Sequence, residues 1–466
     1  MTPQLKRWSL FIGPVAAMAL TFMMMSLGWA QQGALAAGLT LLCALWWIFE
    51  PIPIPATSMI PLGVFPLLGI LDGKQVALAY GDPLILLLMG GAMLSKAMEK
   101  SGAHRRLALY LVNLFGAYDQ RRLVFGFMVA AAVLSMWVSN TATTLMLLPV
   151  AYAVLESADS DSAAQKLAVP LFLGIAYASS IGGLGTPIGS PPNVVFLKVY
   201  AETTGTSIGF GQWMLWALPV VLMMVPLAGI WITRNLNRGE PLLIPKVGAW
   251  RSEEIRVLTL FSLTALAWVT LREPFGGWSS WFNVPNANYA AVALTSVVLM
   301  FVLPNGKGGK LLDWQSASSI HWGVLLLFAG GIAIAKAFAV TGISDAIGQS
   351  LSGVTRLSII AIIAIIAIVA LAVTFLTEIT SNTATTTLLM PILAAASLGA
   401  GFEPATLMLP AALSASCAFM LPVATAPNAI VFGTGKMTVE QMVREGFALN
   451  LIGVAVITTV VYLWLA

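Results

Sequence analysis

The chain has 466 residues, of which 59% are hydrophobic and 9% charged, with a net charge of +4, whereas about a quarter of an ordinary soluble domain is charged. With a mean hydropathy of +0.90, so few charges exclude a soluble fold and imply an all-α polytopic membrane protein. The positive excess needs no nucleic-acid partner, because cytoplasmic loops of membrane proteins collect Lys and Arg. Cys43 and Cys417, both inside apolar runs, and only two His exclude a disulfide framework and a zinc site.

In chain order, apolar runs near residues 8–30, 33–48, 54–71, 83–99, 168–200, 211–233, 256–271, 286–303, 319–340, 404–433 and 445–466 predict eleven transmembrane helices. The first follows Lys6 and Arg7 as a signal peptide would, but it is long enough to span and reads as a retained signal anchor. Two further stretches, 123–156 and 357–400, carry a polar cluster at their middle and predict re-entrant hairpins. After the fourth span, His104, Arg105 and Arg106 mix with Leu107, Leu109, Leu111 and Val112, which predicts an amphipathic helix lying on the membrane surface over 104–114. The interval 234–256, with Pro241 and Pro245, reads as a solvated cytoplasmic linker between two halves.

If the N-terminus is cytoplasmic, most of the 23 Lys and Arg fall on that side. They are Lys6, Arg7, Lys100, Arg105, Arg106, Arg121, Arg122, Lys166, Arg234, Arg238, Lys246, Arg251, Arg256, Lys307, Lys310, Lys436 and Arg444. Lys74, Lys198, Arg272 and Arg356 are left for the other side, so the bias predicts a C-terminus outside. Lys96 and Lys336 lie inside spans, where they snorkel from span ends or steer anions.

The two halves repeat each other. Gly90-Gly91 followed by Lys96 and Gly102 matches Gly330-Gly331 followed by Lys336 and Gly342. Ser139-Asn140-Thr141-Ala142-Thr143-Thr144 then Pro149 matches Ser381-Asn382-Thr383-Ala384-Thr385-Thr386 then Pro391, and Gly189-Ser190-Pro191-Pro192-Asn193 matches Ala424-Thr425-Ala426-Pro427-Asn428. With the N-terminus inside, the hairpins open from opposite faces, an inverted repeat typical of secondary transporters.

The polar hairpin tips have no place in a lipid-facing helix, and the Gly/Pro-rich islands 182–192 and 421–427 predict helix breaks at mid-membrane depth. Such breaks expose helix N-termini that suit an anion and free carbonyls that suit a hard cation such as sodium. None of the four islands contains Lys, Arg, Asp, Glu or His, so a bound di-anion needs helix ends and co-bound cations. Glu378, the nearest carboxylate, reads as a buried or interfacial structural acid, and His104 and His321 sit at span ends, which favours sodium over proton coupling. The islands also lack the nucleophile, base or metal set of an enzyme, and a passive channel has no need of the duplication.

At these motifs, from about residue 40 to the C-terminus, the sequence resembles the divalent anion/sodium symporter family of di- and tricarboxylate carriers. The resemblance implies eleven transmembrane helices and two re-entrant hairpins in a homodimer that works by an elevator motion. It implies scaffold helices in 1–122 and 257–356, transport segments in 123–233 and 357–466, and a linker at 234–256. One sodium would take Ser135, Ser139, Asn140 and Gly189; the repeat assigns a second to Thr377, Thr380, Asn382 and Ala424. Substrate carboxylates would meet Asn140, Thr141, Ser190, Asn382, Thr383 and Thr425. The implied activity is sodium-coupled import of C4-dicarboxylates (succinate, malate or fumarate) across a cell inner membrane, with citrate or sulfate transport, or dicarboxylate exchange, as alternatives. Ala426 departs from the family, whose carboxylate carriers often have Pro there.

Overall fold

The computed structural model describes residues 3–116, 119–157, 161–236, 244–245, 247–273, 275–351 and 359–465, and these are helical throughout, with no strand beyond one isolated bridge between Pro304 and Lys310. The first half runs α1 (Pro3–Ser26), α2 (Gln31–Phe49), α3 (Ile54–Leu67), α4 (Gly73–Tyr80), α5 (Pro83–Ser101), α6 (Ala103–Phe115), a hairpin of α7 (Gln120–Ser135) and α8 (Asn140–Glu156), α9 (Asp161–Gly182), α10 (Pro191–Thr204) and α11 (Phe210–Thr233). The second runs α12 (Ser252–Val269), α13 (Gly277–Trp281), α14 (Tyr289–Val302), α15 (Trp314–Ser318), α16 (Trp322–Val340), α17 (Ile343–Leu351), a hairpin of α18 (Ile359–Thr377) and α19 (Asn382–Gly399), α20 (Ala405–Ser414), α21 (Ala426–Phe432) and α22 (Val439–Leu465). From α5 onward the first half is matched by the second from α16, element by element.

Each expected span coincides with a helix or with a broken pair, α9–α10 or α20–α21. Length and apolarity alone qualify eight of the described helices as spans, and that set includes α18, an arm of the second hairpin. The polar turn after Thr377 reverses the chain there, so hydropathy by itself miscounts it. By contrast α3, at 14 residues, is about 21 Å long, short of a ~30 Å hydrocarbon core.

The apolar interior has three parts. A central core joins both hairpins and both broken helices to α11 and α22. A second joins α5 to α12 and α14, and a third joins α16 to α2, α3 and α4. The halves therefore exchange a helix, α5 packing on α14 and its mate α16 on α3. The repeated Gly-Gly pair permits both crossings: a Cβ on Gly90 would lie 2.7 Å from the Ala293 Cβ, and one on Gly330 would lie 2.6 Å from the Ser58 carbonyl oxygen.

Two expectations need correction. The helix over 104–114 forms as α6, but it is not simply a membrane-surface helix: Arg106 is buried, donating 2.8 Å bonds to Glu254 and to the Ala249 carbonyl. The interval 234–256 is not a solvated loop throughout. Its last residues form the first turn of α12, where Glu254 is buried and accepts from Arg251 and Arg106. The middle of that interval, including Arg238, Pro241 and Lys246, lies outside the described residues, as does Arg356.

Candidate substrate and cation site

The four polar islands, far apart in the chain, meet around one cavity of about 770 Å³, within the ~300–1,000 Å³ range of small-molecule sites. It is lined by Ser139, Asn140 and Thr141 of the first hairpin tip, Thr380, Ser381, Asn382 and Thr383 of the second, Gly189 and Ser190 of the first break, and Ala424, Thr425 and Ala426 of the second. All six expected substrate contacts thus face one space. Of the expected cation ligands, Ser135 and Thr377 do not line it; both are buried behind the tips.

The tips form because their hydroxyls cap helices. Ser139 Oγ accepts from the Ala142 N–H and Ser381 Oγ from the Ala384 N–H, so α8 and α19 start at the cavity. Thr425 does the same for α21. Ser190 stands at the start of α10 without a capping bond, since Pro191 and Pro192 have no N–H and its hydroxyl lies 2.8 Å from that of Ser416. Helix N-termini from all four islands thus bring positive partial charge to the cavity.

Each break is folded by the same device. Asn193 donates from Nδ2 to the carbonyls of Gly183 (2.9 Å) and Thr186 (2.8 Å), and Asn428 donates to those of Ala418 and Leu421 (both 3.1 Å). The Thr186 carbonyl also accepts from Gly189 N–H, as the Leu421 carbonyl does from Ala424 N–H. The repeat therefore extends from sequence to individual hydrogen bonds. Sequence reasoning quoted both Asn residues but gave them no role; their identical offset behind the proline of each break was the available signal.

The two tips differ. Asn140 Oδ1 accepts from Ser135 Oγ at 2.5 Å and packs directly on Gly183, where a Cβ would sit 2.8 Å from it. Asn382 Oδ1 is buried without a partner, while Thr380 Oγ1 is 2.7 Å from Thr385 Oγ1. An unpaired buried amide oxygen is an acceptor of the kind that suits a hard cation.

Among the described residues, the charged side chains lining the cavity are confined to Lys6, Glu50, Lys96 and Glu99, at the ends of α1, α2 and α5. Lys96 pairs with Glu99 at 2.8 Å, whereas Lys336 is exposed and outside the lining. An adjoining cavity of about 540 Å³ continues from Ser139 and Thr141 past His104, Arg105 and His321. The four islands bring no charged side chain to the site, and the charges that line it stand as the pairs Lys6–Glu50 (3.6 Å) and Lys96–Glu99.

Helices of spanning length around paired broken helices and a polar central cavity make this a polytopic membrane transporter. The family described as the sodium:sulfate symporter transmembrane region matches residues 4–466, and the chain belongs to that family, the divalent anion/sodium symporters. It is 38% identical to the sodium-dependent dicarboxylate transporter SdcS of Staphylococcus aureus, over 97% of this chain and 90% of that one. Its fold is similar to the YdaH transporter of Alcanivorax borkumensis, with a TM-score of 0.57, 16% identity and coverage of 86% of this chain and 88% of that one. MtrF of Neisseria gonorrhoeae is similar at a TM-score of 0.55, with 14% identity over 86% of this chain and 84% of that one.

Proposed function

We propose that this protein imports C4-dicarboxylates of the succinate, malate and fumarate class into the cytoplasm, coupled to at least two sodium ions. The observation that carries this reading is the meeting at one cavity of both Ser-Asn-Thr tips and both breaks, none of which carries Lys or Arg. A di-anion there is balanced by helix ends and by its co-transported cations. A sodium ion about 4 Å from a carboxylate contributes about 4 kcal/mol at an effective dielectric of 20, so two ions offset much of the desolvation of the substrate. Ser135, Ser139, Asn140 and Gly189 would surround the first sodium, and Thr377, Thr380, Asn382 and Ala424 the second. Asn140, Thr141, Ser190, Asn382, Thr383 and Thr425 would meet the carboxylates.

The name of the 38% identical relative supports dicarboxylate over sulfate or citrate. The bias of Lys and Arg toward one set of loops supports a cytoplasmic N-terminus. The concentration of the hairpins, broken helices, α11 and α22 in one core supports an elevator in which they move against the flanking helices, in a homodimer in the inner membrane. Binding of a panel of succinate, citrate and sulfate at fixed sodium tests the substrate class; tighter binding of sulfate or citrate than of succinate would replace it.

A further inference from the structure

Glu378 lies in the turn of the second hairpin and is buried. Its Oε1 accepts from the backbone N–H groups of Phe419 (2.8 Å) and Met420 (2.9 Å) and from Asn450 Nδ2 (2.7 Å), and its Oε2 accepts from the Leu421 N–H (2.9 Å). Three successive N–H groups converging on one acceptor form a nest, and here the acceptor is a side chain of the protein. All four partners donate, and the side chain accepts every bond. Among the described residues no ion pair reaches it.

Its grip extends to the cavity. Leu421, held by its N–H, uses its carbonyl to accept from the Ala424 N–H at 3.2 Å and from Asn428. Because trans peptides are planar, the Ala418 and Phe419 carbonyls point away from the carboxylate; the first accepts from Asn428, and the second is pressed on Gly446, where a Cβ would lie 2.2 Å from it. Glu378 thereby fixes the Val423–Ala424 peptide, the one that leads into the Ala424 carbonyl. The first half has Met136 at the equivalent position, and there Thr186 Oγ1 donates to the Met136 carbonyl. One break is tethered by a threonine hydroxyl, the other by a buried glutamate side chain.

We propose that Glu378 is a positioning residue for the second cation: its bonds to three successive N–H groups fix the turn that carries Ala424, a role the first site gives to a threonine hydroxyl. This role rests on the sodium-coupled reading of the site. Glu378→Gln turns an amide N–H₂ toward a backbone N–H. The test measures sodium dependence of succinate uptake in proteoliposomes, and sodium-induced thermal stabilisation of the purified protein without succinate. Glu378→Gln is expected to raise half-saturating sodium about tenfold and to remove most of the sodium-induced stabilisation, with the succinate KM at saturating sodium within about twofold of wild type. Glu378→Asp, which keeps both acceptor oxygens, restores part of the sodium affinity. Asn450→Ala, which deletes one of the four bonds, shifts sodium dependence in the same direction by less, and carries the test if Glu378→Gln does not fold. Unchanged sodium dependence in the variant tested, or a lower maximal rate alone, overturns the proposal. Uptake by wild type that ignores sodium overturns the coupling reading instead.

Discussion

The hydroxyl oxygens of Ser190 and Ser416 lie 2.8 Å apart, joining the first break to the second at the cavity wall. Both residues are buried, so each depends on the other for its hydrogen bond. In Ser416→Ala the Ser190 hydroxyl loses that partner at the start of α10, where Pro191 and Pro192 offer no N–H and the Asn193 N–H already donates to the Ser190 carbonyl. A lost bond of about 1 kcal/mol corresponds to a rise in succinate KM of roughly fivefold, with maximal rate little changed. Uptake kinetics check this, and an unaltered KM would separate Ser190 from the substrate.

Asn193 and Asn428 fold their breaks with the same two bonds. Asn193→Leu and Asn428→Leu, close to isosteric, each delete two bonds and leave one carbonyl, of Gly183 or Ala418, without that donor, a cost of about 2 kcal/mol. Thermal melts of the purified variants should fall by similar amounts. A large fall in one and none in the other would show that the symmetry of geometry is not one of energy.

The helix order and the cavity residues were legible in the sequence because apolar runs report length and the duplicated motifs report position. Ser139, Ser381 and Thr425 cap helices as their residue types suggest. The exchange of α5 and α16 between halves was not legible, since Gly90 and Gly330 announce a close approach without naming the partner. Arg106 read as a surface charge because its partner Glu254 lies far along the chain. The role of Glu378 was hidden for a related reason: its donors are backbone N–H groups of a distant break, which no side-chain pattern records.

Gly330→Ala places a Cβ 2.6 Å from a backbone oxygen on α3 that cannot give way. The crossing of α3 and α16 must open, and the melting temperature falls sharply or the variant aggregates. Gly63, inside α3 with nothing within 4 Å of its added Cβ, is the internal control. Gly63→Ala should match or exceed wild type, by up to about 1 kcal/mol from helix propensity. Comparable losses in both would mean that the Gly-Gly pair has no special packing role.

Burial opposes ionisation of Glu254, but hydrogen bonds from Arg251 and Arg106 outweigh it and hold the carboxyl at about 2, below its ordinary 4.5. A depressed carboxyl contributes stability above its unfolded pKa and loses it as pH falls through the folded one. Glu254→Gln leaves Arg106 buried without a counter-charge, at a cost of about 3–5 kcal/mol. The difference in melting temperature between wild type and variant should be full at pH 7 and narrow from about pH 4.5 towards 2. A pH-independent gap would remove the ion cluster as its cause.

The central claim is that a di-anion and sodium share one cavity whose four polar islands carry no basic residue. Labelled succinate uptake into proteoliposomes, under an inward sodium gradient and then with equimolar potassium in its place, tests it most directly. Concentrative uptake with sodium and only background uptake with potassium is the predicted result; equal uptake under both conditions would contradict sodium coupling.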